Sequence, residues 1–295
     1  MRIERLALRA SGRRCLAAAV ESCPVTRPAV PIRLIALDLD GTVVGADLVV
    51  HDRVRRAVAG AQAKGVHVVI VTGRMFAAAR PYANVLGITG PIVCYQGAAI
   101  VQVSDGAILT QTPLAQDVTR DVLQRAAADK FQAQCYSDDR LYVDAINRFS
   151  KKYSDLAQVE PVLVPSLIDM FADRPTLKIV LVDDAARATQ YTEVLTKYLG
   201  PRAYVTRSHP DFVEVIDPHV NKGRALGFIA QHYGVPAEAI MAVGDSWNDL
   251  PLLAAAGIGV AMGSAPPELL ARAQAVVGDV AHDGVAEAIE RYVLA

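Results

Sequence analysis

The chain has 295 residues, 52% of them hydrophobic, and a formal net charge of −1. That length accommodates about two domains, and the near-neutral balance argues against a general nucleic-acid or anionic-membrane binder. The longest Ala/Gly-rich apolar stretch, residues 252–262, falls short of the roughly 18 residues of a membrane span. The four cysteines, Cys15, Cys23, Cys94 and Cys135, lack C-x-x-C spacing. They read as reduced thiols of a cytoplasmic protein, not as a disulfide framework or zinc site.

Residues 1–30 stand apart. Arg2, Arg5, Arg9, Arg13, Arg14 and Arg27 lie among alanines, and Pro24, Pro28 and Pro31 close the segment. It lacks a continuous apolar core, so it makes a poor secretory signal. A targeting leader, a frayed extension and an upstream start site all fit it; the segment is read as a disordered extension and set aside from the fold.

Residues 32–37 are an apolar run expected to form a buried strand. It ends in Asp38-Leu39-Asp40-Gly41-Thr42. Two carboxylates two residues apart point the same way on a strand, and like charges so placed call for a cation or a shared proton. A hard divalent ion such as Mg²⁺ suits them. Residues 54–64 carry helical spacing and stop at Gly65. Residues 66–71 are a second buried strand, ending in Thr72-Gly73-Arg74. A helix over 75–86 and a strand over 91–95 follow. This alternation predicts a parallel sheet with crossover helices.

From Gln96 the pattern changes to shorter strands at 100–103, 107–110, 131–136, 141–143, 177–182 and 203–206. Helical patterns at 116–129 and 185–199 interrupt them. Ser104-Asp105-Gly106 marks a hairpin turn. The region reads as an α+β module inserted into the first domain, and residues 212–216 read as the return. Lys222 then opens a helix to about residue 233. A buried strand over 239–243 ends in Gly244-Asp245-Ser246-Trp247-Asn248-Asp249. Short strands at 257–262 and 275–277 and a helix at 285–293 complete the chain.

In an open α/β sheet, ligands sit beyond the carboxyl ends of the strands. The clusters Asp38/Asp40, Thr72/Gly73 and Asp245/Asn248/Asp249 should therefore converge there, with Lys222 in reach. Carboxylates, a lysine, a hydroxyl and glycine backbone suit phosphoryl transfer, where catalysis is mostly positioning and charge neutralisation.

D-L-D-G-T, T-G-R, a lysine before glycine and G-D-x-x-N-D, in this order, resemble the four motifs of the haloacid dehalogenase superfamily. The inserted module is similar to the cap of its Cof-like phosphatases, and the resemblance spans residues 32–295. It implies a Rossmann-like α/β core with an inserted α+β cap: core over 31–95 and 212–295, cap over 96–211. It implies Asp38 as nucleophile and Asp40 as general acid, then base. Thr72, Gly73 and Leu39 would hold phosphate, Asn248 would contact phosphate or the waters of the ion, and Lys222 would neutralise the phosphate and the nucleophile. Asp38, Asp245 and the Asp40 carbonyl would bind Mg²⁺, with Asp249 orienting Lys222 or the metal shell. On this reading Asp38 is ionised and Asp40 carries the raised pKa.

Gln96-Gly97-Ala98 departs from the branch's usual Asn-Gly-Ala. Trp247 is read as packing beneath the loop or edging the site, Lys178 as an edge-strand charge or a substrate contact, and Arg74 as either solvated or substrate-facing. Asp138-Asp139-Arg140 is a charged cap turn. The six histidines show no metal-ligand spacing. The expected function is hydrolysis of a small phosphate monoester, a sugar phosphate or phosphorylated cofactor, with no nucleic-acid or membrane partner. A phosphosugar mutase and a non-catalytic sensor of Mg²⁺ and a phosphate ligand are the alternatives.

Overall fold

A computed structural model describes residues 30–295. The arginine-rich segment, with Cys15 and Cys23, lies outside the described residues except for Val30. The strands in chain order are β1 (Leu34–Leu37), β2 (His67–Ile70), β3 (Pro91–Cys94), β4 (Ala99–Gln102), β5 (Ile108–Gln111), β6 (Gln132–Ser137), β7 (Arg140–Val143), β8 (Val162–Leu163), β9 (Lys178–Val182), β10 (Tyr204–Thr206), β11 (Phe212–Ile216), β12 (Ile240–Gly244), β13 (Ile258–Met262) and β14 (Ala275–Val277). The helices that matter for the site are α1 (Asp52–Ala63), α2 (Phe76–Val85), α3 (Gln116–Ala128), α4 (Arg148–Ala157), α5 (Leu167–Met170), α6 (Ala185–Leu199) and α7 (Lys222–Tyr233).

The core is a parallel sheet in the order β14-β13-β12-β1-β2. β1 lies inside it because all four of its residues are apolar and buried, and a strand with no polar face needs cover on both sides. Its side chains alternate: Ile35 and Leu37 join the cluster holding Val54 and Val58 of α1, whereas Leu34 and Ala36 join that of Leu226 and Ile229 of α7. Helices thus cover both faces. The ladder runs to the carboxyl end, where the Asp38 N–H donates to the Val243 carbonyl at 3.0 Å. That register sets Asp38 beside the loop that begins at Gly244.

The second sheet is mixed, in the order β10-β11-β9-β6-β7-β8, and is antiparallel except for the β7–β8 pair. It has its own core, built from residues such as Val118 and Val122 of α3 and Leu195 of α6. Sheet and helices together form the inserted α+β cap.

Three expectations change. The strands expected at 100–103 and 107–110 do not join the cap sheet: β4 and β5 pair with β3, which a parallel bridge between Val71 and Val93 ties to the core edge. The tight turn at Ser104–Gly106 folds them back on the nearest free edge. Residues 212–216 do not return to the core: β11 lies between β9 and β10 with all five residues buried. Finally, α4 falls where no helix was expected. Its signal was present in Phe149, Tyr153 and Leu156 at i, i+4 and i+7 and in a capping box, where Asn147 accepts from the Ser150 N–H and Ser150 Oγ from the Asn147 N–H.

Candidate active site

Beyond β1 the chain turns tightly. The N–H groups of Thr42, Val43 and Val44 all donate to the Leu39 carbonyl, at 3.2, 2.8 and 2.9 Å. Gly41 has φ +80°, and a Cβ there would stand 2.2 Å from Asp245 Oδ2. Only glycine lets the two loops approach this closely. Thr42 Oγ1 donates to Asp245 Oδ1 at 3.0 Å and locks the contact.

Lys222 enters from the first turn of α7, whose cap is Asn221 accepting from the Arg224 N–H at 2.8 Å. Its Nζ lies 2.6 Å from Asp38 Oδ1 and 2.6 Å from Asp249 Oδ1. All three side chains are buried. The second oxygen of Asp249 accepts from the N–H groups of Asp245 and Ser246, at 3.0 and 3.1 Å. Asp249 therefore fixes both the lysine and the loop that carries Asp245.

The electrostatics follow from burial. Burial, with the charges of Asp249 and Asp245 and against Lys222, raises the Asp38 carboxyl well above its ordinary value. Burial and Asp249 push Asp245 up to about 7, against the Thr42 hydrogen bond and Lys222. Burial opposes the charge on Lys222, but Asp249 and Asp38 outweigh it and hold its pKa above the usual lysine value. The Asp38 carboxyl is thus crowded by two others, and its ionised form calls for positive charge beyond that of Lys222.

Such crowding is what a cation relieves. Carboxylate oxygens of Asp38, Asp245 and Asp249 lie within 4.8 Å of one another. The donor set is all oxygen and suits a hard divalent ion. Because both Asp249 oxygens are already engaged, Asp38 and Asp245 are the better ligands.

Asp40 faces the other way. Both its oxygens accept from Arg74, from Nε at 2.8 Å and from Nη2 at 2.6 Å. Arg74 is buried, lies over the Tyr82 ring, and also reaches the Leu156 and Ala157 carbonyls at the end of α4 at 3.4 and 3.5 Å. It is not solvated: it clasps Asp40 and ties it to the cap, at the border of the cavity.

Thr72 is fully buried, and its Oγ1 accepts from the Arg74 N–H at 3.1 Å, leaving its own proton to donate. The Leu39 side chain is in the core, so any contact from it would come from its backbone. Asn248 Nδ2 donates to Gln96 Oε1 at 2.9 Å, and Gln96 Nε2 donates to Glu214 Oε2 at 3.0 Å. Glu214 accepts only, so it sets the sense of both amides. Asn248 Oδ1 is then left buried with no partner among the described residues, an acceptor better suited to water than to a phosphate oxygen. Lys178 pairs with Glu214 at 2.9 Å and donates to the Gly73 carbonyl at 2.8 Å. β9 is an inner strand, so Lys178 is not an edge charge. Burial raises the Glu214 carboxyl, but Lys178, Ser208 and Gln96 outweigh it and hold the pKa below the usual range.

A cavity of about 550 Å³ opens above Asp38. It is lined by core residues Asp40, Gly73, Arg74, Asp245 and Asn248 and by cap residues of α4 and of the loop before β11. Lys222, Asp249 and Thr72 lie beneath this surface. Trp247 takes the second of its two expected places: it borders the cavity and carries Arg207 4.7 Å from its ring. Asp139 of the charged turn accepts from the Ala77 N–H at 2.9 Å and from Tyr95 Oη at 2.6 Å, docking the cap on the start of α2. Glu214 was missed by sequence reasoning; a lone glutamate in an apolar strand is its only signal. Among the described residues, no helix is long and apolar enough to cross a membrane.

A parallel core sheet, an inserted mixed sheet and buried carboxylates around a lysine at the carboxyl ends of the strands define a capped phosphatase of the α/β class. The profile of the haloacid dehalogenase-like hydrolases matches residues 35–289. The chain belongs to that family, in its Cof-like branch, and is a phosphatase of that type. It is 29% identical over 271 residues to the 5-amino-6-(5-phospho-D-ribitylamino)uracil phosphatase YcsE of Bacillus subtilis, covering 92% of this chain and 99% of the relative. It is 27% identical to the pyridoxal phosphate phosphatase YbhA of Escherichia coli, covering 89% and 99%. A haloacid dehalogenase-like hydrolase from Bacteroides thetaiotaomicron superposes with a TM-score of 0.77 at 27% identity, over 88% of this chain and 99% of that one.

Proposed function

We propose that the protein hydrolyses a small phosphate monoester with Mg²⁺, through an aspartyl-phosphate on Asp38. The observation that carries this is the Asp38 carboxylate on the cavity floor, 2.6 Å from the buried Lys222 ammonium and beside Asp245. A Mg²⁺ ion held by Asp38, Asp245 and the Asp40 carbonyl would supply positive charge to the phosphoryl oxygens.

An Asp38 oxygen attacks phosphorus while the bond to the leaving oxygen breaks. Asp40, once it has swung from Arg74 and taken up a proton from solvent, gives that proton to the leaving oxygen. Water then attacks the aspartyl-phosphate, Asp40 takes its proton, and inorganic phosphate leaves with Asp38 restored. Lys222 offsets charge on Asp38 and the phosphoryl group. The Thr72 hydroxyl and the Gly73 and Leu39 N–H groups hold phosphoryl oxygens, and Asn248 holds a water. Asp249 keeps Lys222 in place. A cavity of about 550 Å³ between core and cap residues suits small esters, sugar phosphates or phosphorylated cofactors, and the names of the two relatives point to the same size class. The buried thiols of Cys94 and Cys135 fit the reducing cytoplasm.

The test is phosphate release from a panel of small esters, with Mg²⁺ and with EDTA, for wild type and Asp38→Asn. Release that needs Mg²⁺ and is lost in the variant is expected. Release that survives in Asp38→Asn would overturn the mechanism.

A further inference from the structure

The cap side of the cavity is walled by rings. His209 and Phe212 lie 4.6 Å apart between centroids with their planes 32° apart, and Phe212 lies 4.9 Å from Tyr153. Tyr153 continues to Tyr136 at 6.3 Å, and all four rings border the cavity. Burial lowers the His209 pKa, against Asp211 and with Lys152 and Arg207, so at neutral pH this ring presents an uncharged face. Nearby, Leu48, Met75 and Leu156 add aliphatic lining.

Several polar groups along this wall are already engaged with one another, whereas the Asp155 carboxylate at the end of α4 has no side-chain partner among the described residues. The Tyr136 and Tyr153 hydroxyls bond each other at 2.6 Å. Lys178 is held by Glu214 and the Gly73 carbonyl. A polyol in this space would lose water from several hydroxyls and find few free partners, at a cost of roughly tenfold in affinity for each one left unpaired. A flat unsaturated ring carries no such penalty and gains offset stacking on the wall.

We propose that the alcohol released by this phosphatase is a planar heteroaromatic one, seated against His209, Phe212 and Tyr153, and not an open-chain or pyranose sugar. The proposal rests on the phosphatase reading of the same site, and the two fail separately in the following experiment.

Steady-state phosphate release with Mg²⁺ is measured for pyridoxine 5′-phosphate, ribose 5-phosphate, glucose 6-phosphate and glycerol 3-phosphate. The comparison is made in wild type, His209→Ala and Phe212→Leu. Equilibrium binding of the first two esters to Asp38→Asn is measured alongside. A kcat/KM for the pyridine ester at least tenfold above every sugar ester is expected. That ratio should fall at least fivefold in His209→Ala, mainly through KM, and a matching preference should appear in the binding data. Sugar esters turned over as well or better, or a ratio unmoved in both variants, would overturn the substrate class and leave the phosphatase intact. With no turnover of any ester, the phosphatase reading fails and binding decides: tighter binding of the pyridine ester sustains the ring site, and equal binding refutes it.

Discussion

Lys222→Met tests the organisation of the site most directly. Methionine has nearly the same reach and packs in the same channel, so the change removes the ammonium and little else. The ammonium lies 2.6 Å from both Asp38 and Asp249, and its side chain has no exposed surface. Without it, the buried carboxylates of Asp38 and Asp249 and the partly buried one of Asp245 face one another with no cation. Removing one partner of a buried ion pair costs about 3–5 kcal/mol. Two carboxylates lose their partner here, but each can take up a proton, so the low end, about 3 kcal/mol, is expected near pH 7.5. The loss should shrink as pH falls, because protonation relieves the repulsion. Activity should fall by about 10²–10³-fold, the usual effect of deleting a group aimed at transition-state charge. Urea unfolding of both proteins at pH 5.5 and 7.5, with phosphate-release kinetics at the higher pH, measures both effects. Lys222→Met/Asp249→Asn separates them: stability should recover in part, whereas activity should not. A single variant within about 1 kcal/mol of wild type at pH 7.5, or one retaining more than about a tenth of kcat/KM, would refute the reasoning, since a buried ammonium so placed must matter to both.

Four further outcomes are expected. Arg74→Ala should lower kcat by about 10- to 100-fold, the cost of a misplaced acid, with little change in KM. It should cost no more than about 1 kcal/mol of ion-pair stability, because Asp40 is half-exposed; stopped-flow kinetics and urea melts check both. Glu214→Gln should destabilise by about 3 kcal/mol at pH 7, since Glu214 and Lys178 are both buried. The folded pKa of Glu214 is depressed, so its contribution is full above the unfolded value of about 4.3 and is lost as pH falls through the folded value. The wild-type and variant urea midpoints should therefore converge below about pH 4. Gly41→Ala should cost about 1–3 kcal/mol from its left-handed backbone alone, and more from the displaced Asp245 carboxylate, read as a fall in Tm with loss of activity. Adding Mg²⁺ should raise the Tm of wild type but not of Asp245→Asn, because binding to the folded state alone stabilises it.

Much of this protein is legible in its sequence. The runs at 32–37, 66–71 and 239–243 are apolar but for Arg33 and His67, each near the start of its strand, so both faces of each strand need cover and the runs lie in the interior of a sheet. The carboxylates that follow such runs are thereby placed on one edge. Asp38, Asp245, Asp249 and Lys222 could be grouped from the primary structure on that ground. The helices α3 and α6 were likewise plain in their periodicity.

Tertiary structure decided the rest. Which sheet a short strand joins depends on which edge is free when it folds back. Residues 99–111 therefore pair with β3, and residues 212–216 join the cap sheet. The roles of Arg74 and Glu214 depend on partners far away in the chain: Arg74 meets Asp40 and the end of α4, and Glu214 meets Lys178 and Gln96. A local pattern cannot reveal such pairs, because a charge is informative only once its neighbours and its distance from water are known. The same holds for the raised carboxyls of Asp38 and Asp245. Their chemistry comes from burial beside other charges, and burial is a property of the folded chain.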